Sequence, residues 1–313
     1  MKLLLAFLRL IRYPNLLYIF LTQYLLQYAV FRPVFARYGW QPSLGHAAFF
    51  LLSLSTVLIA AAGYIINDYF DVNTDLWNKP DKLIVDRLIS RRWAMFWHSA
   101  LNVIGVGISF GLAWKIGYPL LGFAQLICTG LLWFYSTSYK RQLLIGNIVI
   151  SFLTAFTVIV VGLYEPKIYT GVFRSQTRPV YELLKIVTAY AIFAFLISLV
   201  REIIKDLEDM RGDVREGCRT MPIVYGVNAC KDISYVLLWF LIAVMVFAEI
   251  RMAVWGWYAV IAYVFLLLQV PLLMTIRQLR KATGKAGFRR TGNFIKLVML
   301  AGILSMFFLK IYS

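Results

Sequence analysis

The sequence predicts an all-α integral membrane protein, a bundle of nine transmembrane helices in a single domain that covers residues 1–313. Of the 313 residues, 61% are hydrophobic, whereas soluble domains are about 45–50% apolar. Several windows of about 18 or more residues carry almost no charge, which is typical of membrane-spanning helices. These runs are too long for barrel strands, so helices must satisfy the backbone polar groups within the lipid.

The nine predicted helices correspond to nine apolar runs separated by polar segments. We expect no cleavable signal peptide, because the apolar stretch Met1–Leu10 is short and no small-residue cleavage site follows it. The predicted helices cover residues 14–32, 45–66, 93–113, 118–138, 144–164, 183–203, 232–249, 253–276 and 292–312.

The distribution of basic residues predicts the orientation of the bundle. If the N-terminus is cytoplasmic, 23 of the 32 Lys and Arg residues fall on the cytoplasmic side of these nine helices. Cytoplasmic loops are enriched in Lys and Arg. We therefore expect a cytoplasmic N-terminus and a C-terminus on the opposite side, with the cell's inner membrane as the location.

The net charge of +17 has two explanations. A basic chain is typical of nucleic-acid-binding proteins, but in a chain this apolar we interpret the charge as membrane topology. A basic surface that also attracts anionic membrane lipids or phosphorylated substrates is the alternative, and we expect no nucleic-acid partner. Cys128, Cys218 and Cys230 have neither disulfide nor zinc spacing. His46 and His98 are isolated, which argues against a histidine-based metal site.

A first polar cluster, NDYFDVNTD, follows the second predicted helix. Asn67, Asp71 and Asp75 are spaced i, i+4 and i+8, so they share one face if that helix continues. Asp68 lies beside this face. The cluster is expected on the cytoplasmic side, at the end of a membrane-buried segment.

A second polar cluster, REIIKDLEDMRGD, follows the sixth predicted helix and faces the same compartment. Glu202, Asp206, Asp209 and Asp213 follow i, i+4, i+7 and i+11, which again places them on one helical face. Like charges at these spacings destabilise a helix, so a cation should offset them.

The two acidic faces together favour a divalent cation site. Taken singly, each cluster is explained equally well by a solvated helix end paired with Lys and Arg. Mg²⁺ takes one or two protein carboxylates and completes its coordination with water and phosphate oxygens. Two such faces would hold two ions around a diphosphate.

The paired motifs resemble those of the UbiA-type membrane prenyltransferases. The resemblance rests on NDxxDxxxD at Asn67–Asp75 and on DxxxD at Asp209–Asp213 within KDxxDxxGD, and it covers nearly the whole chain. It implies transfer of a polyprenyl group from its diphosphate to an acceptor, with two Mg²⁺ ions bridged by that diphosphate. It also implies catalytic, metal-binding roles for Asp71, Asp75, Asp209 and Asp213, with Asn67 as a further ligand and Asp68 and Asp206 as supporting or alternate ligands.

The same resemblance implies four substrate-binding residues. Lys82 matches a position that often carries Arg after a KPxR-like turn, and Lys140 lies beside a Gly–Asn pair that recurs in the family. Lys205 precedes Asp206, and Asn15 is part of RYPN at the start of the first helix. Membrane topology explains each lysine equally well, and a helix start explains Asn15. The run KLIVDR departs from the common RPLxSG pattern of this loop.

Aromatic residues near the cytoplasmic ends have a possible role in this chemistry. Tyr64, Phe70, Tyr135 and Tyr139 would present ring faces to an allylic cation. Interfacial aromatic belts explain each of them equally well.

The motifs identify the donor substrate better than they identify the acceptor substrate. REIIKDLEDMRGD looks most like the branch that alkylates geranylgeranylglyceryl phosphate, a lipid acceptor. The alternative is an aromatic acceptor, 4-hydroxybenzoate or a dihydroxynaphthoate, as in quinone biosynthesis. A membrane transporter is the alternative from a different class, but it would place polar sites near the bilayer midplane. The motif of CDP-alcohol phosphotransferases is absent.

Overall fold

The computed structural model describes residues 2–78, 83–173 and 177–312, and helices dominate it. Its α-helices are α1 (Lys2–Leu10), α2 (Tyr13–Leu25), α3 (Arg32–Arg37), α4 (His46–Phe70), α5 (Val72–Asn78), α6 (Arg91–Lys115), α7 (Gly122–Thr137), α8 (Ile145–Leu163), α9 (Lys167–Phe173), α10 (Thr177–Arg215), α11 (Met221–Val254), α12 (Tyr258–Val264), α13 (Val270–Lys281), α14 (Gly284–Leu304) and α15 (Met306–Tyr312).

The described residues contain eight helical segments that are long and apolar enough to cross a membrane. A ninth is obtained if α1 and the Tyr13–Arg37 segment, which are bent by 56° at their junction, form one broken span. Large apolar side chains such as Leu120 and Val254, each 79% exposed, cover the outer surface. Exposed apolar area on this scale is typical of a surface that faces lipid. The all-helical membrane fold is thus confirmed, with eight or nine spans.

Two helix boundaries differ from the prediction in ways that matter for the site. The sixth apolar span was expected at 183–203, but α10 runs from Thr177 to Arg215, so the helix continues through the second acidic cluster, as its one-face spacing predicted. α11 likewise begins before residue 232, at Met221, but it is kinked at Gly226, whose dihedrals (φ 82°, ψ 167°) are not helical. Hydropathy locates only the apolar part of a helix, whereas hydrogen bonding continues into the polar flank.

The helix that carries the first polar cluster is interrupted at Asp71, so the continuous helix on which the shared face was conditional is not present. α4 ends at Phe70, and Asp71 has the non-helical dihedrals φ −90° and ψ 1°. Asp side chains compete with the backbone for hydrogen bonds and favour helix ends. Hydrogen bonds from Asp71 N to Asn67 O (3.0 Å) and from Asp75 N to Asp71 O (2.8 Å) nevertheless preserve the i, i+4 relationship across the break.

The helix α10 contributes to two apolar clusters and is therefore held firmly at both ends. One cluster contains Leu183 and Val187 of α10 together with Phe31 and Phe49. The other contains the segment of α10 around Ile204 and residues of α11, α12, α13 and α14. This packing fixes the position of the second acidic cluster at the polar end of α10.

Candidate active site

Two cavities meet at the polar end of the bundle. A polar cavity of about 650 Å³ lies above an apolar cavity of about 240 Å³ that extends between the helices. Their shared lining shows where they join. The residues that line both are Arg12, Asn15, Asn67, Tyr135, Arg201, Lys205 and Lys296.

The polar cavity brings together the site residues predicted from sequence. Both acidic clusters face it, one from α4 and α5 and the other from α10. Lys82 lies outside the described residues. The other predicted residues that line the cavity are Asn15, Asn67, Asp68, Asp71, Asp75, Lys140, Lys205, Asp206, Asp209 and Asp213.

Lys140 contacts the centre of the first acidic cluster. Its Nζ lies 2.5 Å from Asp71 Oδ1, and Asn67 Nδ2 donates to Asp71 Oδ2 at 2.7 Å. The turn that carries Lys140 packs tightly on the start of α8, because a Cβ at Gly146 would lie 2.8 Å from Lys140 Cα. A glycine at this position therefore lets Lys140 reach the cluster.

Arg12 binds the neighbouring carboxylate. Its Nη2 lies 2.7 Å from Asp68 Oδ1, and its guanidinium lies 5.0 Å from the centre of the Tyr64 ring. Asn15 Nδ2 donates to Tyr64 Oη at 3.2 Å. The start of α2 is thus tied to α4 beside the first acidic cluster.

Asn78 joins the two acidic segments, a role that the sequence did not indicate. Its Nδ2 donates to Asp209 O at 3.1 Å, and its Oδ1 accepts from Gly212 N at 3.1 Å. Lys285 donates to the backbone oxygen of Asn78. A Cβ at Gly212 would lie 2.4 Å from Asn78 Nδ2, so only glycine fits there. The contact holds α5, with Asp75, against the polar end of α10.

Asp206 is held by a second asparagine. The buried Asn147 donates from Nδ2 to Asp206 Oδ2 at 2.8 Å. The sequence singled out Asn147 only as part of a recurring Gly–Asn pair. This hydrogen bond joins α8 to α10 at the cavity wall.

Cys218 also lines the polar cavity, in the loop between α10 and α11. Burial raises the pKa of its thiol, and the charge of Asp213 raises it further. The residue is therefore a thiol at neutral pH.

Basic residues concentrate where the two cavities join. Arg201 Nη1 lies 2.7 Å from Glu202 Oε1, and Lys205 Nζ lies 3.8 Å from Glu202 Oε2. Lys296, on α14, lines both cavities. Arg201, Glu202 and Lys296 all fall within or beside predicted apolar helices, and ionisable residues there usually mark functional sites. That signal was present in the sequence.

The residues of the polar cavity fit Mg²⁺. In the part of the chain that the structure describes, no group of three or more His, Cys, Asp or Glu side chains is arranged to hold a metal ion by protein ligands alone. Mg²⁺ does not require such a group, because water and substrate phosphates supply most of its ligands. The carboxylates of two facing segments, with the Asn67 amide, provide the oxygen ligands that a hard cation prefers.

A buried polar cluster lies at the wall of the apolar cavity, far from the acidic residues, and Thr56 and Gln125 of this cluster line the cavity. Gln125 Nε2 and Gln23 Nε2 donate to Thr56 Oγ1 at 2.9 and 3.2 Å. Thr56 precedes Asn67 by about three turns of α4, or roughly 16 Å along the axis. The cavity is therefore a deep slot with its polar mouth at the acidic clusters.

Two of the four predicted aromatic residues lie at this mouth. Tyr64 and Tyr135 line the apolar cavity. Phe70 instead packs edge-on against Trp133, with ring centres 5.9 Å apart, and Tyr139 stacks on Phe134.

An all-helical membrane bundle with two facing acidic segments above an apolar slot defines the class of intramembrane prenyl-transferring enzymes. The model of the UbiA prenyltransferase family matches residues 25–309, and the chain belongs to this family. The resemblance inferred from the paired motifs is thus confirmed, as are the prenyltransferase activity class and the integral membrane character.

Similar proteins with assigned names agree with this membership. A digeranylgeranylglyceryl phosphate synthase from Hyperthermus butylicus is 31% identical over 261 residues, which cover 81% of each chain. A solved structure of a digeranylgeranylglyceryl phosphate synthase has a TM-score of 0.64 at 22% identity, covering 98% of this chain and 99% of that one. A UbiA homologue from Archaeoglobus fulgidus bound to GPP and Mg²⁺ has a TM-score of 0.56 at 16% identity, covering 96% and 99%.

Proposed function

We propose that the protein transfers a geranylgeranyl group from its diphosphate to geranylgeranylglyceryl phosphate, in a Mg²⁺-dependent step of ether-lipid synthesis. The observation that carries the proposal is the joining of the two cavities. One has the acidic segments that a metal diphosphate needs, and the other is a slot for an apolar chain. The names of the similar proteins support this acceptor.

In this proposal the donor's diphosphate occupies the polar cavity with two Mg²⁺ ions. Asn67, Asp71 and Asp75 would hold one ion, and Asp209 and Asp213 the other. Bound Mg²⁺ neutralises the diphosphate and stabilises the charge that develops on it as it leaves.

The chain's own residues complete the donor site. Lys140 donates hydrogen bonds to the diphosphate, since ammonium–phosphate contacts are strong. The apolar slot binds the prenyl chain and keeps water from its reactive C1 carbon. Tyr64 and Tyr135 present aromatic groups near that carbon, where they stabilise positive charge.

The transfer step exchanges one C–O bond for another. The free hydroxyl oxygen of the acceptor attacks C1 of the donor, the bond between C1 and the diphosphate oxygen breaks, and an ether bond forms. The hydroxyl proton passes to the departing diphosphate. The residues at the junction must therefore hold the acceptor's hydroxyl against C1.

The proposed membrane arrangement rests on the distribution of basic residues. The polar cavity is lined by basic residues, among them Arg12, Lys140 and Arg289, of the segments that we assign to the cytoplasmic side. The bent α1–α3 segment then counts as the first of nine spans, and the C-terminus lies on the opposite side of the cell's inner membrane. We treat the chain as a single domain.

The decisive experiment incubates purified protein with geranylgeranyl diphosphate, Mg²⁺ and a panel of acceptors, and identifies products by mass. We expect an ether product with geranylgeranylglyceryl phosphate and none in EDTA. Asp71→Asn and Asp209→Asn should lower turnover about a hundredfold or more. Asp232→Asn, at an exposed position of α11, serves as the control for loss of one carboxylate.

Two outcomes would contradict the proposal. Transfer to 4-hydroxybenzoate or a dihydroxynaphthoate, with none to geranylgeranylglyceryl phosphate, would make the protein a quinone-pathway enzyme. Full turnover in EDTA or in Asp209→Asn would reject the assignment of metal to the facing carboxylates.

A further inference from the structure

The junction of the two cavities holds more positive than negative charge. Arg12, Arg201, Lys205 and Lys296 all line both cavities. Their ion-pair partners at the junction are Asp68, which binds Arg12, and Glu202, which lies within 4 Å of both Arg201 and Lys205. Of the seven residues that line both cavities, four are thus cationic and none is acidic.

Lys296 is the least satisfied of these cations. Among the described residues it forms no ion pair; the charges of Arg201 and Arg12 repel it, while those of Glu208 and Glu202 attract it. Its helix packs closely on α10, because a Cβ at Gly292, one turn from Lys296, would lie 3.9 Å from Ile204 Cγ2. Like charges held together in a partly buried site are unfavourable unless an anion joins them.

This cationic group is separate from the metal-binding carboxylates. Lys205 and Arg201 precede Asp209 by one and two turns of α10, which places them roughly 6–12 Å further toward the apolar slot. The diphosphate has its own cation in Lys140, on the other side of the polar cavity beside Asp71. A second anion therefore has a place of its own.

We infer that Lys296 and Arg201 form a subsite for a phosphate monoester, the phosphate of the acceptor lipid. The inference rests on the proposed function and identifies how that site selects its acceptor. A phosphate held there leaves the glycerol hydroxyl at the junction, next to C1 of a donor in the apolar slot. Because Lys296 and Arg201 would bind the phosphate directly, acceptor binding would not require Mg²⁺.

The test uses Lys296→Gln in full-length purified protein, with Arg290→Gln as the matched control. Arg290 lies on the same helix, is exposed and lines neither cavity. Its replacement by Gln therefore removes the same charge without removing a contact in the cavities. Acceptors are geranylgeranylglyceryl phosphate and the corresponding alcohol, geranylgeranylglycerol. Equilibrium binding of the radiolabelled phosphate acceptor is measured in EDTA.

We expect Lys296→Gln to raise the KM and the EDTA Kd for the phosphate acceptor at least tenfold, the usual cost of losing a charge-assisted contact. The donor KM and the turnover with the alcohol acceptor should stay within about twofold of the wild-type values, as they should in Arg290→Gln. Acceptor binding that is lost in EDTA, or a change confined to the donor KM, would overturn the subsite. Wild-type protein that uses no phosphate acceptor would overturn both this inference and the proposed function.

Discussion

Lys140 and Asp71 form an ion pair of 2.5 Å in the polar cavity, although the sequence suggested separate roles for them as a phosphate-binding cation and a metal ligand. Both side chains are largely buried, with 11% and 21% exposure. If Asp71 binds Mg²⁺ as proposed, Lys140 neutralises its carboxylate until a metal–diphosphate complex binds. The ammonium then has a new partner in the diphosphate.

Lys140→Ala should therefore affect metal and donor in opposite directions. Without the ammonium, Mg²⁺ binding to donor-free protein should tighten about threefold to tenfold, because a competing cation is gone. The kcat/KM for the donor should fall about tenfold or more, because a charge-assisted contact to the diphosphate is lost. Calorimetry and steady-state kinetics measure the two effects. Lys281→Ala, at an exposed position of α13, is the control, and unchanged Mg²⁺ affinity would argue against a shared site.

The contact between Asn78 and Gly212 predicts strong coupling between two substitutions. Gly212→Ala places a Cβ 2.4 Å from Asn78 Nδ2, which must displace α5 and destabilise the protein by about 1–3 kcal/mol. In an Asn78→Ala background the same methyl group has space, so its added cost should be small. Thermal unfolding and kcat/KM of the four variants form the cycle. Purely additive effects would show that the clash is relieved elsewhere.

The sequence predicted the parts of the site that repeat along a helix. The spacing of Asp206, Asp209 and Asp213 required no tertiary information, and α10 presents all three to one cavity. The role of Asn78 had no such signal, because its partner Gly212 is 134 positions away. Hydropathy alone ended this helix at residue 203, and only the spacing of the acidic residues indicated its polar extension.

The charged residues within the predicted apolar helices also indicated the site, but the sequence interpretation did not use them fully. Lys296 lies inside the predicted span 292–312 but was not among the predicted site residues. Its position between the two cavities depends on how α14 packs against α10, and that packing cannot be read from spacing alone.

The proposed orientation predicts one-sided labelling at α5. Asn73 is exposed on this short helix, next to the acidic residues. A cysteine introduced by Asn73→Cys should react with a membrane-impermeant reagent only from the cytoplasmic side. The native Cys128, Cys218 and Cys230 are buried, and burial raises the Cys218 pKa, which disfavours the reactive thiolate. Labelling of intact cells from outside would reverse the orientation.

The apolar slot predicts which residue limits the length of the donor chain. Ala194 lines the slot on α10, about 18 Å from the level of Asp206 by helical rise. Ala194→Phe should fill this depth and lower kcat/KM for geranylgeranyl diphosphate about tenfold, because the end of a long chain loses its apolar contacts. The kcat/KM for geranyl diphosphate, whose prenyl chain is half as long, should change less than about twofold. Ile192→Phe adds an aromatic ring to the same helix at a position 44% exposed on the outer surface, and it should leave both donors unchanged. If Ala194→Phe lowered kcat/KM equally for both donors, the prenyl chain would follow another route through the bundle.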